Sequence, residues 1–358
     1  MKKLDWYIIK KFLSTFFFAI SLILVIVIVF DISEKIDDFL DSEAPLEAIV
    51  FDYYLNFIPF FANLFSPLFI FIAVIFFTSK MANNTEVIAI LNSGMSFWRF
   101  LLPFMIAAVL LASASFVLGN FVIPPANKTR IDFENKYIKN KFRFKGKDIH
   151  LQLQKGQYAY MESYNSTKDI AYKFALENIK DGQLQSKLNA NYIMWDSTSG
   201  KWQINKWQIR EFLDEGEKLS KGEKLDTLIN LKPSDFKTRL SKVETMNYFE
   251  LNDYIKEEEI KGTANIVFNK IEKHKRMAFP FASIILTIIG VAVASRKTRG
   301  GIGLHLGAGL LISFSYILFM QISTTYATNG NLSAALAVWI PNILYTILAG
   351  ILVKKAPK

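Results

Sequence analysis

The residues able to do chemistry are few and scattered. The chain has no cysteine among its 358 residues, which removes thiol nucleophiles, disulfides and thiolate metal ligands. Its three histidines, His150, His274 and His305, lie too far apart in sequence for a metal-ligand motif. His274 sits among Lys273, Lys275 and Arg276 and reads as a solvated or interfacial residue. No Ser-His-Asp set can be placed, and paired carboxylates such as Glu257 and Glu259 fit a solvated helix face. The Walker A pattern is absent, so the chain does not hydrolyse nucleotide by that route. The glycine-rich RGGIGLHLGAG, Arg299–Gly309, has no soluble strand before it and fits close helix packing by small residues better than a phosphate loop. Neither cofactor nor metal is expected.

Two features are less bland. Lys35 is the sole base in the segment Asp31–Asp52, which carries eight acids. It has two readings: an i,i+4 pair with Asp31 or simple snorkelling, and a cation placed where an anionic lipid headgroup would sit. The second feature is the short loop NNTEVIAILNSGMSFWRF, Asn83–Phe100. Thr85 is a candidate cap for a helix beginning at Glu86, Val87, Ile88 and Leu91 give it an apolar face, and Gly94 is a natural stop. It reads either as a plain interfacial helix or as a docking helix whose charged contact is Glu86.

The elements that must position these residues are membrane spans. Apolar residues make up 51% of the chain and charged residues 21%, with a mean hydropathy of +0.23, the signature of very apolar segments alternating with polar ones. Phe occurs 32 times, a surplus that lipid-facing helices absorb readily. Six stretches reach the length of about 20 residues that a bilayer core demands: 12–30, 54–77, 100–123, 277–294, 304–323 and 334–353. The first is too long for a signal-peptide apolar region and has no small-x-small site after it, so it reads as an uncleaved anchor.

Orientation follows from Lys and Arg near the spans. Lys2, Lys3, Lys10 and Lys11 precede the first; Lys80 and Arg99 bracket the second loop; Arg296, Lys297 and Arg299 lie between the fourth and fifth; Lys354, Lys355 and Lys358 follow the sixth. With alternating helices all four segments share one side, which makes both termini cytoplasmic. The acidic 31–52 and the uncharged 324–333 fall on the other side.

Between the third and fourth spans the periodicity changes to alternation. HLQLQ (150–154), QYAYM (157–161) and QLQSKL (183–188) read as half-buried strands, and YIMWDSTSGKWQI (192–204) as a hairpin turning at Ser197–Gly200. Strand signals every 8–12 residues point to a sandwich or jelly roll. FELNDYIKEEEI (249–260) returns to helix, and a polar helical segment at about 265–276 leads into span four. The expected fold is therefore an α-helical membrane protein of six transmembrane helices with an inserted all-β, jelly-roll-like domain on the non-cytoplasmic side, the periplasmic side by the resemblance given below. Its parts are residues 1–130 (spans one to three, with the short cytoplasmic helix near 84–94), 131–246 (the β-domain), 247–276 (a helical connection) and 277–358 (spans four to six). The net charge of +10 is accounted for by this outer region and its basic run Lys128–Lys147. No nucleic-acid motif is present, and that run lies on the wrong side of the membrane to serve as one. It is a candidate receiver of lipid phosphates, through Lys139, Lys141 and Arg143.

The whole chain resembles the LptF/LptG permeases of lipopolysaccharide export. The resemblance rests on TEVIAILNSGMSFWRFLLP (85–103), KRMAFPFASIILTIIGV (275–291), the basic glycine-rich turn 296–303 and NGNLSAALAVWIPNIL (329–344). It implies an ATP-driven ABC transporter of the inner membrane in which an F-type and a G-type permease enclose a V-shaped cavity. That cavity admits lipopolysaccharide from the outer leaflet, and a dimer of the cytoplasmic ATPase LptB drives it. The lipid is lifted towards the jelly-roll domain and a periplasmic bridge beginning with an LptC-like protein. The chain itself would then be no enzyme. By this resemblance Glu86, with Val87, Ile88, Leu91 and Gly94 around it, is the ATPase-coupling element. Lys35 falls where G-type proteins carry a lipid-contacting lysine, and DISEKIDDF is more similar to the G-type; the acids Asp31, Glu34 and Asp38 are a departure that opposes lipid phosphate. Phe61 and Phe65 of span two and Phe314 and Phe319 of span five are the candidate cavity lining. Expected partners are the ATPase dimer, a second permease, an LptC-like protein, lipopolysaccharide and membrane lipids. The rival readings are a mechanotransmitting ABC subunit or envelope assembly factor that handles no lipid, and a membrane enzyme acting on an envelope polymer.

Overall fold

The protein is described from a computed structural model, which places residues 3–138, 147–165, 168–213, 216–233, 241–261, 266–298, 300–330 and 332–356. Lys139, Lys141 and Arg143 of the basic run, and Arg299 of the glycine-rich turn, lie outside the described residues. The chain divides into two compact units, one of residues 1–139, 244–248 and 267–358, the other of residues 140–243 and 249–266.

The first unit holds six helices long and apolar enough to cross a membrane. Helix α1 spans Lys3–Asp41, and at 1.5 Å per residue its 39 residues reach about 58 Å, nearly twice a hydrocarbon core. Helix α2 occupies Leu46–Asn83, α3 Glu86–Asn92 and α4 Phe97–Tyr137. Helices α2 and α4 both contain π-helical turns, at Ile49–Tyr54 and Leu118–Val122. In α4 the turn lies just before Pro124 and Pro125, whose rings would otherwise meet the carbonyls one turn back; widening the helix lets it continue beyond them. After the β-domain come α5 (Ser241–Glu244), α6 (Tyr248–Lys261), α7 (Ile266–Ala294), α8 (Gly301–Thr328) and α9 (Ala334–Lys354). The polar segment before span four and the span itself form one helix, α7, with no break at 276.

Two apolar clusters hold this unit. In one, Ile8, Phe12 and Phe16 of α1, spaced four apart, meet Phe77 of α2 and Phe100 and Phe104 of α4. In the other, Phe71 and Ile75 of α2 pack with Ile285 and Ile289 of α7, Tyr316 of α8 and Ala337 of α9. Close approach needs missing side chains. A Cβ on Gly290 would lie 2.9 Å from Val74 and 3.1 Å from two Phe71 ring atoms, and one on Gly309 would lie 2.3 Å from the tip of Ile75. Gly309 is the one glycine of the described glycine-rich stretch that packs against another helix in this way; Gly301, Gly303 and Gly307 have nothing within 4 Å of an added Cβ. His305 is buried and bonds the Arg296 carbonyl (2.9 Å) and Thr298 Oγ1 (3.2 Å), pinning the turn between α7 and α8.

The second unit is built on one antiparallel sheet in the order β1-β2-β3-β4-β5-β6. The strands are β1 (Lys147–Gln154), β2 (Gln157–Asn165), β3 (Ile170–Lys180), β4 (Gln183–Asp196), β5 (Lys201–Leu213) and β6 (Gly216–Thr227). Each strand pairs with its chain neighbour, a meander with no Greek-key crossover among the described strands. The β4–β5 turn falls at Ser197–Gly200, where it was expected, and the hairpin opposes Trp195 to Trp202. Trp202 is fully buried with Met161, Phe174, Ile193 and Ile204, and its Nε1–H donates to the Leu231 carbonyl at 2.7 Å.

Candidate functional site

The features singled out from the sequence fall in three places in the first unit. At one end of the bundle, α3 starts at Glu86 and stops at Asn92, with Gly94 in the left-handed region (φ +86°) and its N–H returned to the Leu91 carbonyl. Thr85 is not the expected side-chain cap. Its own φ is +65°, its hydroxyl donates to the Asn84 carbonyl at 2.6 Å, and no cap bond to the helix forms. Val87 is fully buried against the α1–α2–α4 cluster, so it anchors α3 to the bundle and offers a partner nothing. That corrects the expectation that Val87 and Ile88 share one contact face: Ile88 is exposed, and Leu91 and Glu86 are half-buried. The Glu86 carboxylate accepts from Tyr7 (3.5 Å) and Asn84 Nδ2 (3.2 Å).

The mounting of α3 is stiffened by a pair the sequence did not disclose. Arg99 donates through both terminal nitrogens to the two oxygens of Asp5, each at 2.7 Å, and Asp5 is buried. This fork-to-fork geometry is the most directional ion pair available to side chains. It ties the first turn of α1 to the first turn of α4, the helix that follows α3 in the chain. Its partners are 94 positions apart in the chain, so nothing local marks them.

Further along α1, Lys35 pairs with Asp31 at 3.0 Å. Its ammonium bonds the Tyr53 hydroxyl and lies 4.7 Å from the centre of that ring. Asp31 also accepts from Tyr53 (3.2 Å) and Tyr54 (3.1 Å). The pairing reading of Lys35 is therefore realised, inside a box of two tyrosines that sequence reasoning missed. Around it Phe39, Tyr53, Phe57 and Phe133 form a small apolar cluster.

The four candidate phenylalanines separate. Phe61 stacks on Phe57 at 4.0 Å and continues to Phe65 at 6.2 Å, an i,i+4 ladder on α2, and both are half-buried. Phe314 and Phe319 are exposed on α8, but five residues apart on a helix they point about 140° from each other. Helix α2 packs against both α1 and α8. Those two are the least enclosed spans, with 17% and 22% of their apolar windows buried against 67% for α7.

A further polar knot lies where the chain returns from the β-domain. Arg130 pairs with Glu134 (3.2 Å) and Arg276 with Glu272 (3.2 Å), while Arg276 also donates to the Met246 carbonyl (2.6 Å). Asn127 donates to the Glu244 carbonyl at a long 3.5 Å. Burial pushes the Glu244 carboxyl up and Glu272 adds to this, while Arg130 and Arg276 pull it down. Among the described residues no group of His, Asp and Glu is arranged to hold a metal ion.

Among the described residues the three places assemble no catalytic constellation. They offer instead a rigidly mounted short helix at one end, a partnered lysine beyond an apolar span, and two apolar helix faces flanking a third. Comparison with curated proteins finds no match. The sequence model of the lipopolysaccharide export system permease LptF/LptG family matches residues 6–355, nearly the full chain. On that match, and with six membrane-length helices and one β-sheet inserted between the third and the fourth, the chain belongs to the LptF/LptG family of lipopolysaccharide export permeases.

Proposed function

We propose that this chain is one permease half of an ATP-driven exporter that draws lipopolysaccharide from the inner membrane and passes it to a periplasmic bridge. Both termini and α3 are cytoplasmic and the β-domain is periplasmic. The observation that carries the reading is the exposed apolar surface of α1 and α8 on either side of α2. Phe18, Phe30, Leu311 and Phe314 are each more than half exposed. An isolated bundle tolerates this against lipid acyl chains. Two such bundles facing each other would enclose an apolar space, with Phe61 and Phe65 of α2 as its back wall. The occupant would be an amphipathic lipid and the opposite half a second LptF/LptG-type permease.

In this reading α3 is the coupling helix. Glu86 and exposed Ile88 meet a cytoplasmic LptB-type ATPase dimer, and Val87 with the Asp5–Arg99 fork transmits its displacement to α1 and α4. Hydrolysis occurs on the partner, and this chain contributes no ATPase site. The lysine at position 35 and its setting DISEKIDDF favour the G-type over the F-type. For Lys35 to take a lipid phosphate it must leave Asp31, and the hydroxyls of Tyr53 and Tyr54 are in place to keep Asp31 satisfied when it does. The lifted lipid then passes to the β-domain and an LptC-like periplasmic protein.

Photo-crosslinking tests this arrangement. A crosslinker at Phe18 or Leu311 should capture the second permease or lipopolysaccharide, and one at Leu344 of α9 should capture neither. Equal capture at all three positions would overturn the assignment of α1 and α8 as the working face.

A further inference from the structure

The knot around Glu244 encloses a cavity of about 200 Å³ that the export reading does not use. Its walls come from α2 (Phe60, Asn63), α4 (Ser115, Gly119, Asn127) and α7 (Lys275, Arg276), closed by Glu244 of the returning segment. The polar groups facing it are of both signs and incompletely satisfied. Asn127 has no solvent exposure, yet its Oδ1 has no hydrogen-bond partner. A buried acceptor left in that state costs stability unless something else supplies a donor. Lys275 makes no ion pair with any described residue, and Asn63, whose Oδ1 accepts from Ser115 at 2.6 Å, has its amide nitrogen beside the bare backbone of Gly119. The Glu244 carboxylate has no direct ion pair among the described residues, and its burial disfavours the charge it carries.

A second, apolar groove of about 290 Å³ lies against the same two helices, α4 and α7, lined chiefly by Val109, Ala112 and Phe116 on one side and Pro280, Phe281 and Ile284 on the other. Arg276, Pro280 and Ile284 form one i,i+4 stripe of α7. Arg276, which lines the cavity, and Pro280, which lines the groove, are one turn or about 6 Å apart on α7, and the groove's α4 lining, Val109–Val117, covers about 12 Å of that helix.

A purely anionic group in this cavity would face Glu244 and Glu272, and a purely cationic one would face Lys275 and Arg276. A zwitterion satisfies both sets: phosphate oxygens accept from Lys275 and the Asn63 amide, while an ammonium donates to Glu244 and to the orphaned Asn127 Oδ1. We infer that the α2–α4–α7 cavity is a resident site for one phosphoethanolamine-headed phospholipid of the surrounding bilayer, with an acyl chain lying in the α4–α7 groove. The bound headgroup adds to the tie between segment 244–248 and helices α4 and α7 that Asn127 and Arg276 make. The inference is independent of the export reading, since it needs only that the bundle sit in a membrane.

Native mass spectrometry of the full-length chain, delipidated in detergent and titrated with phosphatidylethanolamine or phosphatidylglycerol, tests it. One phosphatidylethanolamine should be retained at about one-tenth the concentration that phosphatidylglycerol requires. Lys275→Gln should erase most of that preference, and Ile284→Trp, which fills the groove and leaves every polar group in place, should lower retention by a similar factor. Lys275 is partly exposed, so its variant should keep the wild-type melting profile; if it does not, the Ile284 variant decides. Equal retention of both lipids by the wild type, or unchanged retention in the folded variants, would overturn the site. Soluble O-phosphoethanolamine binding as tightly as the lipid would overturn the acyl-chain component. Displacement of the retained lipid by lipopolysaccharide at equal concentration would make this an export subsite and overturn residence.

Discussion

If Lys35 takes a lipid phosphate, Asp31 is its competitor, and removing the competitor should strengthen lipid binding. The pair is an i,i+4 contact of 3.0 Å with side chains 22% and 13% exposed. A contact of this kind, largely but not wholly shielded, contributes about 1 kcal/mol or less. Breaking it is a toll on every transfer of Lys35 to a phosphate, so Asp31→Asn should tighten lipopolysaccharide binding by up to about fivefold. The asparagine keeps an acceptor for the hydroxyls of Tyr53 and Tyr54, so the aromatic box is retained. Lys35→Met removes a charge-assisted hydrogen bond of about 1.5–3 kcal/mol, which corresponds to roughly 10- to 150-fold weaker binding. In the double variant the Asp31 change should have no further effect, because there is no lysine left to release. Titration of lipopolysaccharide onto the purified permease complex, read by native mass spectrometry or fluorescence, gives all four affinities. Asp31→Asn weakening binding, or acting equally with and without Lys35, would refute the competition and leave the lysine a structural partner of Asp31.

The remaining predictions concern coupling and packing. Glu86→Lys should abolish co-purification of the ATPase while leaving the melting temperature unchanged. Val87→Asp should lower the melting temperature as well, because it places a charge in a fully buried site; a purely local effect of Val87→Asp on partner binding would contradict its role as anchor. Gly290→Ala should cost about 1–2 kcal/mol, the overpacking against Val74 and Phe71 exceeding the gain of about 1 kcal/mol in helix propensity. Gly307→Ala, with nothing within 4 Å of the added carbon, should be neutral or stabilising, and a reversed order in thermal unfolding would contradict the packing. Trp202→Ala should destabilise the β-domain by about 3–5 kcal/mol and release the Leu231 carbonyl, detectable as earlier protease cleavage within residues 147–233.

The spans were legible because twenty apolar residues in a row have few other uses, and the β4–β5 hairpin because Ser197–Gly200 interrupts two tryptophan-bearing strands. Strand β6 was not legible. GEKLSKGEKLDT has no apolar alternation, since it is an edge strand whose charged side chains are largely exposed, and such charge protects an unpaired edge from further pairing. Helix lengths were underestimated for a related reason: the polar continuations of α1 and α4 lie beyond the apolar windows and are helical all the same, whereas the polar start of α7 at about 265–276 was legible as helix. At the site, local signals found the start and stop of α3, Lys35 and its bond to Asp31. The Asp5–Arg99 fork, the tyrosines beside Asp31 and the knot around Glu244 join residues 18 to 117 positions apart, and no spacing rule reaches that far. Val87 was assigned to the wrong face because α3 is shorter than two full turns, and its apolar residues on neighbouring positions do not define a single direction.

The proposed function requires that a cytoplasmic ATPase and a second permease act with this chain on lipopolysaccharide. Its most direct test is to recover the full-length chain from its own membranes in mild detergent and identify the proteins and lipids that accompany it. The account predicts an ABC-type ATPase, a second LptF/LptG-type permease and lipopolysaccharide, with the ATPase lost in Glu86→Lys. A stable, folded preparation carrying the ATPase but no lipopolysaccharide would contradict the export reading in favour of mechanotransmission, and one carrying neither would contradict it altogether.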